Sequence, residues 1–410
     1  MNKKVTTTPP KNNFKHTELG WIPKDWEVKK LKDFGVFSKG KGITKKEVLE
    51  TFTKGISCIR YAELYTKYNY YTESLVSRIN KKSSSKSKEI SHGTILFAGS
   101  GETLEDIGKS IAYIGKEKAF AGGDIITFDQ DSNNSKFLGF LLNYDIVRSQ
   151  LYKLGQGHSV VHIYSSSLKN VSVPLPTLPE QQAIADCLST WDVAIDKQQQ
   201  LINVKEQQHK GLRQLLLTGK KRLINPETEH VFAENWKEKR LKDALNYEQP
   251  TKYIVENSNY SDENKTPVLT ANKSFVLGYT EEEFGIYTNT PIILFDDFTT
   301  DNKWVDFPFK VKSSAIKILT LKDSNFNLRF IFERIQLLRF NKTDHKRYYI
   351  SEYQNIKLKT PTLKEQTAIA KVLETSSKEI KLLQEQLYQL QLQKRGLMQV
   401  LLSGEKRLVS

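Results

Sequence analysis

PTLPEQQAIA at residues 176–185 and PTLKEQTAIA at residues 361–370 are one phrase written twice, 185 residues apart. Carried forward without a gap, residues 176–223 align on 361–408 with 22 of 48 positions identical, ending on LLLTGKKRL and VLLSGEKRL. An internal duplication accounts for this economically. A weaker echo pairs DWEVKKLKDF (25–34) with NWKEKRLKDA (235–244), at an offset of 210. Each half is therefore a Trp- and Lys-bearing opening, a variable segment and a copy of the repeat.

The repeat predicts a long helix. In the first copy Ile184, Leu188, Trp191, Ile195, Gln198, Ile202, Lys205, His209, Leu212 and Leu216 fall alternately four and three apart. That is a heptad seam with three polar members. Ile369, Leu373, Ser376, Ile380, Leu383, Leu387, Leu390, Lys394, Leu397 and Leu401 occupy the same seam in the second copy. Gly219 and Gly404 follow the last apolar residue, where a C-cap glycine belongs. At 1.5 Å per residue each helix spans roughly 55 Å. Such a helix cannot bury its stripe alone, so the two copies are expected to pack on each other, antiparallel if the duplicated molecule has a pseudo-two-fold axis. Gln198, Lys205 and His209 would then be polar layers that set register, or a wet part of the seam.

The variable segments read as mixed α/β or α+β. GTILFAG (93–99), KSIAYIG (109–115), GGDIITF (122–128) and LKNVSVPLP (168–176) are β-branched runs between turn residues, as are TPVLT, PIILFDD and AIKILTL in the second segment. Residues 137–154 and 326–340 have helical periodicity. The expected division is a flexible tail (1–16), a first globular domain (17–175), a helical region (176–223), a second globular domain (224–357) and a second helical region (358–410).

Composition narrows the function. With 410 residues and 38% hydrophobic content the chain supports more than one core. Cys58 and Cys187 make no metal or disulfide framework and are expected as buried thiols of a reducing cytoplasm. The basic start lacks an apolar stretch after it, and no run of about 18 apolar residues occurs, so neither secretion nor membrane spanning is expected. The formal charge of +15 suits a polyanion. Residues 1–175 carry +10 of it, 176–225 +2, 226–357 −1 and 358–410 +4. The near-neutral third stretch still clusters its bases, as Lys303, Lys310, Lys312 and Lys317, then Arg339, Lys342, Lys346 and Arg347.

Catalytic signals fail on inspection. GSGETLEDIGKS (99–110) ends like a phosphate-binding loop, but Gly101 is too far from Gly108 and position 103 is Thr103. A strand-turn-strand loop is the simpler reading. No Asn-Pro-Pro-Tyr or Asp-Pro-Pro-Tyr methyltransferase signature occurs, and His158 and His162 have no nearby Cys or helix-spaced carboxylate to complete a metal site. Asp296 and Asp297 are expected to be solvated or paired with lysines rather than to hold an ion.

Nucleic-acid chemistry remains. SKGKGITKK (38–46) is a glycine-broken basic loop in which backbone can approach phosphate closely. INKKSSSKSKE (79–89) reads as a flexible basic, hydroxyl-rich loop, and DNKWVDFPFKVK (301–312) interleaves bases with Trp304, Phe307 and Phe309. The candidate DNA-binding residues are Lys39, Lys41, Lys45, Lys46, Arg60, Lys81, Lys82, Lys86, Lys88 and His158 in the first domain. In the second they are Lys273, Thr299, Asn302, Lys303, Trp304, Lys346 and Arg347.

The arrangement resembles the specificity (S) subunits of type I restriction-modification systems. The residues that carry the resemblance are LGWIPKDWEVKKLKDF (19–34), LKNVSVPLPTLPEQQAIA (168–185), YQNIKLKTPTLKEQTAIA (353–370) and the helices ending LLLTGKKRL and LLSGEKRL. Departures are small: Lys364 stands where Pro179 does, and Thr367 where Gln182 does. The resemblance implies two target-recognition domains, each reading half of a split double-stranded DNA sequence, joined by two long antiparallel helices with pseudo-two-fold symmetry. It implies no cofactor on this chain. Two adenine-N6 methyltransferase subunits and, optionally, two ATP-driven restriction subunits would bring S-adenosylmethionine, ATP and Mg2+. Glu180, Gln181, Glu365 and Gln366, in the first turn of each helix, are the candidate partner-binding residues, with a carboxylate suited to the positive helix end. The competing expectations are a specificity subunit for a fused methyltransferase-nuclease and, from another class, a coiled-coil scaffold that binds no DNA.

Overall fold

The computed structural model describes residues 13–49, 55–103, 106–157, 161–271, 274–338, 340 and 347–408. They divide into two compact units, one built from the chain up to Gln198 together with Gln386 onward, the other from Gln199–Glu385. The predicted flexible tail lies mostly outside the described residues.

The first unit opens into strand β1 (Glu27–Lys30), which pairs antiparallel with β2 (Ser172–Leu175), from Lys30 opposite Ser172 to Glu27 opposite Leu175. Between them lies the first globular domain, with a five-stranded and a four-stranded mixed sheet. The predicted apolar runs supply the central strands Ile95–Ala98, Ser110–Tyr113 and Ile125–Asp129, all but the last residue buried. Residues 137–154 are not one helix. Helix α1 (Ser135–Leu141) stops short of a second helix at Asp145–Leu154. The break centres on Asn143, whose Nδ2 donates to Gly139 O at 2.8 Å and to Ser110 O at 2.7 Å. A side chain that bonds backbone in this way competes with helix continuation.

Two forty-residue helices follow the repeated phrase, α2 (Leu178–Leu217) and α4 (Leu363–Leu402), with helix α3 (Leu328–Ile335) preceding the latter. Every predicted seam residue of both helices is buried or half-buried. In the first unit Lys394 reaches Asp192 while Gln198 donates to Gln386 at 3.3 Å; as one number rises the other falls, so the helices run antiparallel there. In the second unit Lys205 Nζ sits 2.6 Å from Glu379, and Gln384 donates to Glu206 at 3.2 Å. Gly219 and Gly404 both take φ +72, and each helix ends on the same bonds: Gly219 N to Leu216 O and Lys221 N to Leu215 O, Gly404 N to Leu401 O and Lys406 N to Val400 O. Glycine occupies this left-handed position at no steric cost.

The second unit repeats the opening. Strand β3 (Lys237–Arg240) pairs with β4 (Lys357–Thr360) in the register of β1 with β2. Its domain holds a four-stranded and a three-stranded sheet, smaller than their counterparts. TPVLT, PIILFDD and AIKILTL become strands Thr266–Leu269, Ile292–Asp296 and Ile316–Leu321. Among the described residues no helix is long and apolar enough to cross a membrane.

Candidate nucleic-acid interface

The four side chains expected to meet a partner are buried: Glu180 is 3% exposed, Gln181 2%, Glu365 1% and Gln366 1%. Their first-turn position holds, but their polar atoms are occupied within the chain. Glu180 accepts from Arg407 through Nε (2.5 Å) and NH2 (2.7 Å), and from Trp26 Nε1 at 3.1 Å. Glu365 accepts from Arg222 Nε (2.5 Å), Arg222 NH2 (2.7 Å) and Trp236 Nε1 (3.2 Å). A bidentate guanidinium with an indole donor satisfies a buried carboxylate on both oxygens. Arg407 also reaches Asp25 at 2.7 Å and holds its carboxyl below the usual carboxylate range.

The neighbouring glutamines are copied as faithfully. Gln181 Nε2 donates to Pro176 O at 3.0 Å while its Oε1 accepts the Asn134 N–H at 2.9 Å; Gln366 Nε2 donates to Pro361 O at 2.9 Å and its Oε1 accepts from Asn327 N at 2.9 Å. Asn134 and Asn327 in turn cap α1 and α3, accepting from Phe137 N and Phe330 N at 2.9 Å. The repeated phrase is thus a seat that binds its own globular domain at two points. The Trp and Arg partners lay in the sequence as residues repeated at offsets of 210 and 185.

The first domain gathers its basic residues from distant stretches. Lys39, Lys41, Lys45 and Lys46 are all exposed. Gly40 lets this loop lie against residues 121–125: a Cβ on it would fall 2.0 Å from Gly122 O, and Gly40 N bonds Ile125 O at 2.8 Å. Residues 79–89 are not a flexible loop. Asn80 accepts from Ser83 N at 2.8 Å and caps a helical turn at Lys81–Ser84, with Ser83 and Ser84 buried. Ser83 Oγ donates to Glu47 Oε1 at 3.1 Å, tying the two basic segments together and leaving Lys81, Lys82 and Lys86 exposed beside the first four lysines. Bonds from Thr44 and Ser83 keep the Glu47 carboxyl below its ordinary range inside this cluster.

Two candidates are engaged otherwise. The Arg60 guanidinium is held by buried Glu63 at 2.8–3.0 Å, and Glu63 also accepts from Ser77. Lys88 faces Asp129 at 3.7 Å. His158, Lys273 and Lys346 lie outside the described residues.

In the second domain Asp296 caps the turn between two strands, accepting from Phe298 N (2.9 Å) and Thr299 N (2.8 Å). Asp297 Oδ1 accepts Tyr349 N at 2.8 Å, which brings Arg347 to the same place, 5.7 Å from the Phe298 ring. Thr299 and Arg347 therefore converge, with half-buried Asn302 and Lys303 on the adjoining strand. Trp304 packs on Phe332 and Arg329 instead of standing free. Lys310 and Lys317 leave the basic cluster altogether: Lys310 pairs with Glu282 at 2.6 Å, and Lys317 with Asp297 at 3.1 Å, both residues of the latter pair fully buried. Lys317 also donates to Gln249 at 3.0 Å. The Asp pair thus serves a turn and a buried ion pair. Among the described residues no group of three or more His, Cys, Asp or Glu could hold a metal ion. Cys58 is buried and Cys187 half-buried, both free thiols.

The family model for the type I restriction modification DNA specificity domain matches residues 23–206 and again 233–392. The chain belongs to that family. It is similar to the Escherichia coli type I restriction enzyme EcoR124I/EcoR124II specificity subunit, 49% identical over 30% of this chain and 31% of that one. Similarity to the putative type I restriction enzyme MjaX specificity subunit of Methanocaldococcus jannaschii runs nearly end to end, 28% identical over 96% of this chain and 97% of that one. Among solved structures, the type I restriction-modification S subunit from M. genitalium superposes with a TM-score of 0.63 at 16% identity, covering 95% and 97% of the two chains. This specificity subunit therefore shares both fold and duplicated plan with that family.

Proposed function

We propose that this specificity subunit reads a bipartite double-stranded DNA target, one half with each globular domain, and contributes no catalytic group of its own. Adenine-N6 methylation and cleavage belong to partner subunits, which supply S-adenosylmethionine, ATP and Mg2+. The observation that carries this reading is the contrast between copied seats and uncopied domains. The Trp-Glu-Arg clasp and the Asn-Gln cap recur nearly atom for atom, while the sheets and loops they hold differ in size, charge and side chains. Copied clasps and caps with different readers suit two equal partners acting on two different half-sites.

Exposed lysines contact phosphate and fix position; sequence has to be read by base-edge contacts. In the first domain the joined loops at 39–46 and 81–86 offer the phosphate-facing surface, and in the second the turn bearing Thr299 with Arg347 does so. The test is to co-express the chain with its methyltransferase partner and map methylated adenines genome-wide. A two-part motif with a fixed gap is expected, and exchanging residues 26–165 for another family member's first domain should change one half only. A swap that alters both halves, or methylation without a motif, would sink the proposal.

A further inference from the structure

The two seats are copies in clasp and cap but not in the layer where each helix pair meets its globular domain. By the duplication, positions 192, 394 and 398 correspond to 377, 209 and 213; counted from the capping asparagines 134 and 327, Phe140 corresponds to Glu333. In the first unit Lys394 is 5% exposed, paired with Asp192 of the facing helix and set 4.3 Å from the Tyr70 ring and 5.1 Å from the Phe140 ring. Met398, one turn on, is buried in the same core.

In the second unit the equivalent residues are His209, Arg213 and Ser377. The counter-charge comes from the globular domain: Glu333, 3% exposed, lies 2.9 Å from Arg213 Nε and 2.9 Å from Arg329 NH2 of its own helix. The Arg213 contact is an ion pair off the hydrogen-bond line. The cation has moved one turn along the helix, and its partner has moved from the opposite helix to the globular domain.

Exchange of the domains would break both arrangements. Glu333 on the first seat would keep Arg329 of its own helix but would meet Met398 where Arg213 stood, and would compete with the Asp192 carboxylate for Lys394. Phe140 on the second seat would leave Arg213 without its carboxylate. A buried charge stripped of its partner is among the most destabilising changes a core can suffer. We propose that these positions form a key that assigns each recognition domain to its own helix seat: Asp192, Lys394 and Met398 accept the aromatic helix of the first, and Ser377, His209 and Arg213 accept the acidic helix of the second. The key concerns how the chain assembles and does not depend on which DNA it reads.

The test uses the full chain and three variants: Phe140→Glu, the seat triple Asp192→Ser/Lys394→His/Met398→Arg, and all four changes together. Phe140→Glu and the triple should each lower the first unit's melting temperature by more than about 5 °C, while the combined variant recovers at least half of the summed loss. Where a part does not fold, soluble yield replaces melting as the readout, and the combined variant should restore it. A second comparison places the second domain in both positions, with and without the seat triple; the chain with the triple should be the better folded. Additive losses in the four-residue set, or equal behaviour of the two double-domain chains, would overturn the key.

Discussion

Replacing Arg407 by Ala should unseat the first recognition domain, and the cost can be worked from the clasp. Glu180 is 3% exposed and takes two of its three hydrogen bonds from Arg407, at 2.5 and 2.7 Å, with only the Trp26 indole remaining at 3.1 Å. Breaking a buried pair from one side costs about 3–5 kcal/mol, because the other charge stays behind. The Arg407 side chain is itself 30% exposed, so water enters the vacated space and the low end, about 3 kcal/mol, is the expected loss. The second contact, to half-exposed Asp25, adds at most about 0.5 kcal/mol. For a unit of this size the sum, about 3–3.5 kcal/mol, corresponds to a fall of about 6–14 °C in melting temperature. Calorimetry of the full chain should show it in the transition of the unit that holds Glu180, and Arg222→Ala should do the same to the other unit through Glu365. Glu180→Gln/Arg407→Met, which removes both charges, should cost less than Arg407→Ala alone. If Arg407→Ala melts within about 2 °C of the parent, or if the double substitution is simply the sum of its parts, the clasp does not hold the domain in the way described.

Four further outcomes follow from the same geometry. Lys41→Ala or Lys82→Ala should weaken DNA binding about equally across sequences and reduce the salt slope by about 1 for each phosphate no longer neutralised, measured by titration of the complex at several salt concentrations. Lys317→Met should cost about 3–5 kcal/mol in denaturant melts, since Asp297 is fully buried beside it. Burial pushes the His209 imidazole below its ordinary range, with Glu333, Arg213 and Arg329 around it. The unfolded chain then binds the proton more readily than the folded one, so stability falls as pH drops through about 6.5, and His209→Gln should flatten that part of the pH-stability curve. Gly40→Ala places a Cβ 2.0 Å from Gly122 O and should cost about 1–3 kcal/mol while loosening the basic loop, visible as faster amide exchange at residues 39–46.

The helices were readable because a heptad pattern is local and strong: all twenty seam positions named from spacing are buried or half-buried. The central strands were readable for the same reason. Charge counting misled where pairing is non-local. Lys310 and Lys317 look like a basic patch in the chain, and only the fold sets them against Glu282 and Asp297. The lysine-serine run at 79–89 looked unstructured by composition, yet Asn80 caps it and buried serines anchor it. The partner role of Glu180 and Glu365 comes with the family resemblance, and the helix dipole explains an acidic first turn without calling for any side-chain donor. The donors were in view, since Trp26 and Trp236, Arg222 and Arg407 repeat with the phrase, but nothing in spacing alone says that an arginine at one end of the chain closes on a glutamate 227 residues away.

That separation has a consequence for how the molecule is made. The second unit is an uninterrupted stretch, and its clasp needs only residues 222, 236 and 365. The first unit is drawn from both sides of that stretch and waits for Arg407, which is synthesised after every member of the second clasp. The domain synthesised first is therefore the one completed last, and a ribosome that stops between residues 385 and 407 releases a chain with a closed second clasp and an open first one. Closure of the Arg407 clasp is a mark of synthesis through the whole second repeat, one that no shorter fragment can display.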